Sequence, residues 1–156
     1  MQLIDILARD RVVADVRVSS KKRLLEHLAK LLAGDLGGRI ERAIFEALIA
    51  REHLGSTGLG QGVAIPHGRV GGNIPPTAAF VRLKSPIDLD APDGEPVDLV
   101  LALVVPEHFT DQHLNLLAQV AELFSHTEVC AELRAVSDSV QLYERLSERT
   151  FQFNEV

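Results

Sequence analysis

Between Arg51 and Gly68 the chain reads R-E-H-L-G-S-T-G-L-G-Q-G-V-A-I-P-H-G. Five glycines (Gly55, Gly58, Gly60, Gly62 and Gly68) fall in these eighteen residues. No regular helix or strand tolerates that density, so the glycine-rich part is expected to be a shaped loop. Val63-Ala64-Ile65 then reads as a short strand, followed by Pro66, which fixes the backbone angle and removes a donor. His67 is thereby held at a strand end, and Gly68 lets another backbone or a ligand come close on that side. A titratable ring beside a loop rich in N–H groups suits an anion, phosphate above all. Arg51 falls in the last turn of a preceding helix, where a cation is favourable in any protein. Its guanidinium would also reach over the loop to a bound anion. His113, in the first turn of a later helix, is a second candidate contact. Backbone N–H groups near Gly55, Ser56, Thr57 and Gly68 would add donors. The hydroxyls of Ser56 and Thr57 either orient the loop or close local turns.

Other chemistries find less support. Of six histidines, His67, His108 and His113 with Glu107 can be drawn as a zinc site and hence as a metal-dependent hydrolase. Neither an H-E-x-x-H pattern nor a cysteine pair backs that reading, so no metal or other cofactor is expected. His27 and His126 are expected on the surface, with His53 and His108 at most rimming the site. There is no G-x-x-x-x-G-K-[ST], and Gly58-x-Gly60-x-Gly62 has the wrong spacing and precedes a strand, so direct use of a nucleotide is not expected. A formal net charge of −6 argues against general nucleic-acid binding. The single cysteine, Cys130, forms no internal disulfide and fits a reducing cytoplasm. The first residues lack a basic region followed by an apolar core, and no apolar run reaches the length of a membrane span.

The elements that must position these residues follow from periodicity. Leu3–Leu7 is an apolar patch of about one helical turn. Arg11–Val18 alternates as a strand with Val12, Ala14, Val16 and Val18 on one side. Ser19-Ser20 offers an N-cap to a helix carrying Leu24, Leu25, Leu28, Leu31 and Leu32, stopped at Gly34. Lys21, Lys22 and Arg23 oppose that helix's dipole at a few tenths to about 1 kcal/mol each. They mark either a solvated face or a contact for an acidic partner. Arg39–His53 is a second helix with Ile40, Ala43, Ile44, Ala47 and Leu48 inward. Ala78–Leu83 is strand-like, Pro92-Asp93-Gly94 is a turn, and Val97–Val105 reads as a central strand covered on both faces. Thr110 is the expected cap of a third helix with Leu114, Leu117, Ala118, Ala121 and Phe124 as its stripe. Thr127 and Asp138 open two shorter helices, and Phe151-Gln152-Phe153 is a tail without an assigned role. Strands alternating with helices predict an α/β single domain, a mixed β-sheet sandwiched between helices on both faces.

The run Gly55–Gly68 resembles the phosphorylation-site signature of enzyme IIA of the bacterial phosphotransferase system, fructose/mannitol class, and is most similar to the stand-alone nitrogen-regulatory branch. The likeness extends to Arg51-Glu52, Ser20-Lys21-Lys22-Arg23, Pro96-Val97-Asp98-Leu99, Val105-Pro106 and His113-Leu114. It implies one type-2 EIIA domain over residues 1–156 with the same kind of sandwich. It also implies that His67 is phosphorylated, with Arg51 and His113 beside it. The implied donor is a small histidine phosphocarrier protein. The implied output is either phosphorylation-dependent binding of regulatory targets in nitrogen- and potassium-linked metabolism, or transfer to an enzyme IIB for sugar uptake. A pure binding module with a structural His67 is the remaining alternative.

Overall fold

A computed structural model describes residues 1–154. Its centre is one six-stranded mixed sheet. The strands are β1 (Val12–Val16), β2 (Gly58–Gly60), β3 (Val63–Ala64), β4 (His67–Val70), β5 (Thr77–Ile87) and β6 (Val97–Pro106). Their order is β1-β5-β6-β3-β2, with β4 also paired to β6. β1 runs parallel to β5, β5 antiparallel to β6, and both β3 and β4 parallel to β6. The helices are α1 (Lys21–Ala33), α2 (Gly38–Leu54), α3 (Asp111–Phe124), α4 (Thr127–Ala135) and α5 (Ser139–Asn154).

β6 shows why both faces are covered. Its Leu99, Leu101, Leu103 and Val105 enter one core with α3, α4 and α5, while Val100, Ala102 and Val104 enter a second core with α1 and α2. An almost unbroken apolar strand is what two-sided burial demands. The expected sandwich is thus the observed one, although the chain reaches it differently. Helices do not alternate with strands in the middle of the chain: β2 to β6 follow one another without a helix between them.

Local signals account for most boundaries. Ser20 Oγ accepts the Arg23 N–H at 3.2 Å, and Gly34 ends α1 at φ 52°. Asp138 Oδ1 accepts the Gln141 N–H at 2.9 Å at the start of α5. Four expectations need correction. β1 does not keep one apolar side: Asp15 sits at φ 56°, the register shifts there, and Val12 and Val16 enter opposite cores. Thr110 precedes α3 without a side-chain cap bond. The buried stripe of α3 is His113, Leu116, Val120, Leu123 and Phe124, not the row through Leu114, which is 67% exposed. The helix is turned so that its first turn hands a histidine, rather than a leucine, to the interior. The Phe151–Phe153 segment belongs to α5, which is therefore not short, and Phe153 stacks on His126 with centroids 3.9 Å apart.

Three element ends meet at one place. β4 begins at His67 and pairs with the last residues of β6. α2 crosses β4 so closely that a Cβ on Gly68 would lie 3.0 Å from Ala47 Cβ. α3 starts a few residues after β6 ends. The start of β4, the end of α2 and the start of α3 therefore enclose the histidine.

Candidate functional site

His67 is only 9% exposed. Its Nδ1 lies 2.7 Å from the Ile65 carbonyl oxygen. A carbonyl only accepts, so Nδ1 carries the proton and donates, and Nε2 keeps a free lone pair. Burial lowers the pKa of the ring below its ordinary value; the Ile65 hydrogen bond works against this, the Arg51 charge adds to it, and Glu52 opposes it. The net result is a neutral ring with a fixed tautomer, the form in which imidazole is a nucleophile.

His113 packs edge-on to His67, with centroids 5.3 Å apart and ring planes at 71°. It is 8% exposed, and its pKa falls to about 4 through burial first, then through His67 and Arg69. Its Nε2 is buried with no partner among the described residues. Such an atom typically costs about 1–3 kcal/mol until something bonds to it. Arg51, in the last turn of α2, donates from Nη1 to the Gly55 carbonyl at 2.9 Å. It closes the helix end and yet keeps further N–H donors free, since a guanidinium has five.

Arg51, His67, Gly68, Arg69 and His113 line one open cleft of about 850 Å³, with Glu107 and Thr110 at its side. Apolar residues from two helices, Leu54 of α2 and Leu114 and Leu117 of α3, complete it. The cleft presents a neutral nucleophilic ring, a second neutral ring and two guanidinium cations. Chemically it suits an anion with several oxygens brought in line with Nε2.

The sequence brings His67, Arg51, His113 and Gly68 to the same cleft as expected, and places the rest of the loop elsewhere. Gly55, Ser56 and Thr57 do not line it. Ser56 Oγ donates to the Leu89 carbonyl at 2.9 Å and accepts the Gly58 N–H. Thr57 gives both its hydroxyl and its N–H to Glu52. The Gly55 N–H bonds to the Glu52 carbonyl. Both hydroxyls and the N–H groups of Gly55 and Thr57 are thus taken up by Leu89 and Glu52, so the hydroxyls shape the backbone. Gly68 contributes close packing against Ala47. His108 is exposed, its ring set against Phe109, and it does not line the cleft. No three His, Cys, Asp or Glu side chains among the described residues gather to hold a metal, so the drawn set of His67, His108 and His113 is not assembled. His27 and His126 are partly buried rather than surface residues. His27 Nε2 is enclosed without a partner among the described residues; His126 lies beside Glu122 and Glu128.

Residue spacing missed Arg69 and Leu54, named Glu107 only as a drawn zinc ligand, and named Glu52 only within the Arg51-Glu52 likeness. Arg69 had a signal: two residues along a strand from His67, it faces the same way. Glu52 had none beyond adjacency to Arg51, because its partners, Thr57 and Lys21, come from two other segments.

Comparison with known proteins agrees with this geometry. The family model described as "Phosphoenolpyruvate-dependent sugar phosphotransferase system, EIIA 2" matches residues 5–149. A nitrogen regulatory protein of Pseudomonas aeruginosa is 44% identical over 144 residues, spanning 92% of this chain and 94% of its own. The solved structure of nitrogen regulatory protein IIA-Ntr from Neisseria meningitidis superposes with a TM-score of 0.85 at 42% identity, over 95% of this chain and 98% of that one. The fructose-specific EIIABC component of Bacillus subtilis is 30% identical over 135 residues, which is 85% of this chain but 21% of that larger protein. Matched by the family model over nearly all its length and by full-length relatives, the chain belongs to the EIIA type-2 family of the phosphoenolpyruvate-dependent phosphotransferase system.

Proposed function

We propose that this protein is a phosphoryl carrier of the nitrogen-regulatory branch. Nε2 of His67 accepts a phosphoryl group from a phosphohistidine on a small histidine phosphocarrier protein in the cytoplasm. The phosphorylation state then governs binding to regulatory targets in nitrogen- and potassium-linked metabolism. The observation that carries this reading is the 2.7 Å bond from Nδ1 to the Ile65 carbonyl, which leaves Nε2 unprotonated in a cleft it shares with Arg51 and His113.

In the step itself the Nε2 lone pair forms a bond to phosphorus as the donor's N–P bond breaks, and that electron pair returns to the donor ring nitrogen. Both rings keep their other N–H throughout, so no proton is gained or lost. The bond at Nδ1 strengthens as the His67 ring gains positive charge. Arg51 donates to phosphoryl oxygens, and His113, in the tautomer that carries its proton on Nε2, supplies another donor. Because one phosphoramidate is exchanged for another, no metal is needed to drive the transfer. Full-length similarity to nitrogen regulatory proteins favours this branch over a sugar-specific enzyme IIA.

The test is to incubate the protein with phosphoenolpyruvate, enzyme I and each type of phosphocarrier protein, then read the intact mass. One added phosphoryl group, labile in acid and stable in base, is expected. It should be absent in His67→Ala and form on the order of 100-fold more slowly in Arg51→Ala. Faster transfer from a sugar-type carrier would move the protein to the sugar branch. No gain from any donor, in a folded sample, would refute the carrier reading.

A further inference from the structure

We propose that Glu52 is a positioning residue that orients His67 and fixes which of its ring nitrogens holds the proton, acting through Thr57 and Ile65. Its side chain is 5% exposed. One carboxylate oxygen accepts both the hydroxyl and the N–H of Thr57. The Thr57 carbonyl accepts the Ile65 N–H at 3.0 Å. The Ile65 carbonyl in turn accepts Nδ1–H of His67 at 2.7 Å. An unbroken series of hydrogen bonds thus runs from the last turn of α2 to the ring, through buried residues where water does not compete.

In Thr57 and in Ile65 the donating amide and the accepting carbonyl belong to different peptide units, on either side of the Cα. The series therefore transmits position rather than electronic polarisation. Glu52 also has a charge partner: its second oxygen, which accepts no hydrogen bond among the described residues, lies 3.5 Å from Lys21 Nζ, and Lys21 in turn meets Asp90 at 3.3 Å. A carboxylate suits the place because it is acceptor-only and takes two donors at once. The cation at the start of α1, unfavourable to its own helix dipole, thereby acquires a partner within the chain. The tautomer claim stands on the geometry alone; its consequence for rate rests on the carrier reading above.

Nitrogen-15 NMR of the imidazole rings distinguishes an Nδ1–H from an Nε2–H tautomer. The native protein should show His67 as the Nδ1–H form alone. Glu52→Ala and Thr57→Val should populate the Nε2–H form and slow phosphoryl acceptance about 10- to 100-fold in kcat, with KM for the phosphocarrier within about twofold. Thr57→Ser should restore both readouts. A merely structural anchor would lower stability without altering the tautomer. A folded Glu52→Ala or Thr57→Val that keeps the pure Nδ1–H form overturns the proposal; should Glu52→Ala not fold, Thr57→Val decides. A native protein with the pure tautomer but no mass gain from any donor would refute the carrier reading and leave the positioning role standing.

Discussion

At the scale of single residues, the site is two neutral imidazoles held where imidazolium is disfavoured. Residue type and spacing singled out His67, a histidine between proline and glycine, and made Arg51 and His113 candidates by their places at helix ends; the resemblance then favoured both as its neighbours. Which ring nitrogen is free was not legible, because it depends on where the Ile65 carbonyl points. The lowered pKa values set the direction of the pH response. Below 6.5 an unfolded chain takes up a proton that folded His113 refuses until about 4. The unfolded state then binds more protons, so this contribution to stability is complete above about pH 6.5 and is lost as pH falls toward 4. The shift bounds the loss at roughly 3 kcal/mol. Urea denaturation at pH 7 and pH 4.5 should show a smaller acid penalty for His113→Gln than for the native protein. An identical penalty in both would contradict the burial of this ring. Phosphoryl acceptance should likewise hold its rate down to pH 6.5 and decline only below it, since His67 is shifted in the same direction.

Elements were legible wherever one short signal decided the outcome. Ser20 starts α1 and Gly34 ends it, and the apolar run of β6 marks a strand covered on both sides. What the sequence concealed was rotation and register. Leucines and alanines lie on more than one side of α3, so periodicity alone admitted the row through Leu114; packing chose Leu116, Val120 and Leu123 and turned His113 inward. Likewise nothing in Val12–Val16 announces the left-handed Asp15 that sends its two ends into different cores. Gly68 was legible as a point of close approach, but not as to what approaches. The neighbour is the α2 backbone: a Cβ there would meet Ala47 Cβ at 3.0 Å and its carbonyl carbon at 3.3 Å. Gly68→Ala should therefore cost about 1–3 kcal/mol, because backbone cannot swing aside as a side-chain tip can. Since α2 carries Arg51 and β4 carries His67, the same substitution should also slow acceptance. Full stability in chemical denaturation would show that the helix and strand separate freely.

For the molecule as a whole, the charge balance and the site point in opposite directions. The chain is formally −6, yet its cleft gathers Arg51 and Arg69 around His67. An acidic body with a locally basic opening repels polyanions in general while accepting one phosphoryl group delivered by a partner. Delivery by a protein also requires a surface on which to dock. Leu54 is 85% exposed and Leu114 67% exposed, and both line the cleft. A few exposed apolar side chains grouped at one spot are what protein recognition uses, and a few such contacts dominate its energetics. The outward turn of α3 that defeated the periodicity argument leaves Leu114 exposed at the cleft, where a docking protein would meet it. Leu54→Asp and Leu114→Asp should each raise KM for the phosphocarrier protein about 10-fold and leave kcat within about twofold, because both side chains face solvent and carry no group that could act on the phosphoryl. Both changes lie on the surface, so melting temperature should stay near the native value. A fall in kcat with KM unchanged would place these leucines in the chemistry rather than the encounter. No change in either constant would mean that the phosphocarrier approaches His67 from another side of the cleft.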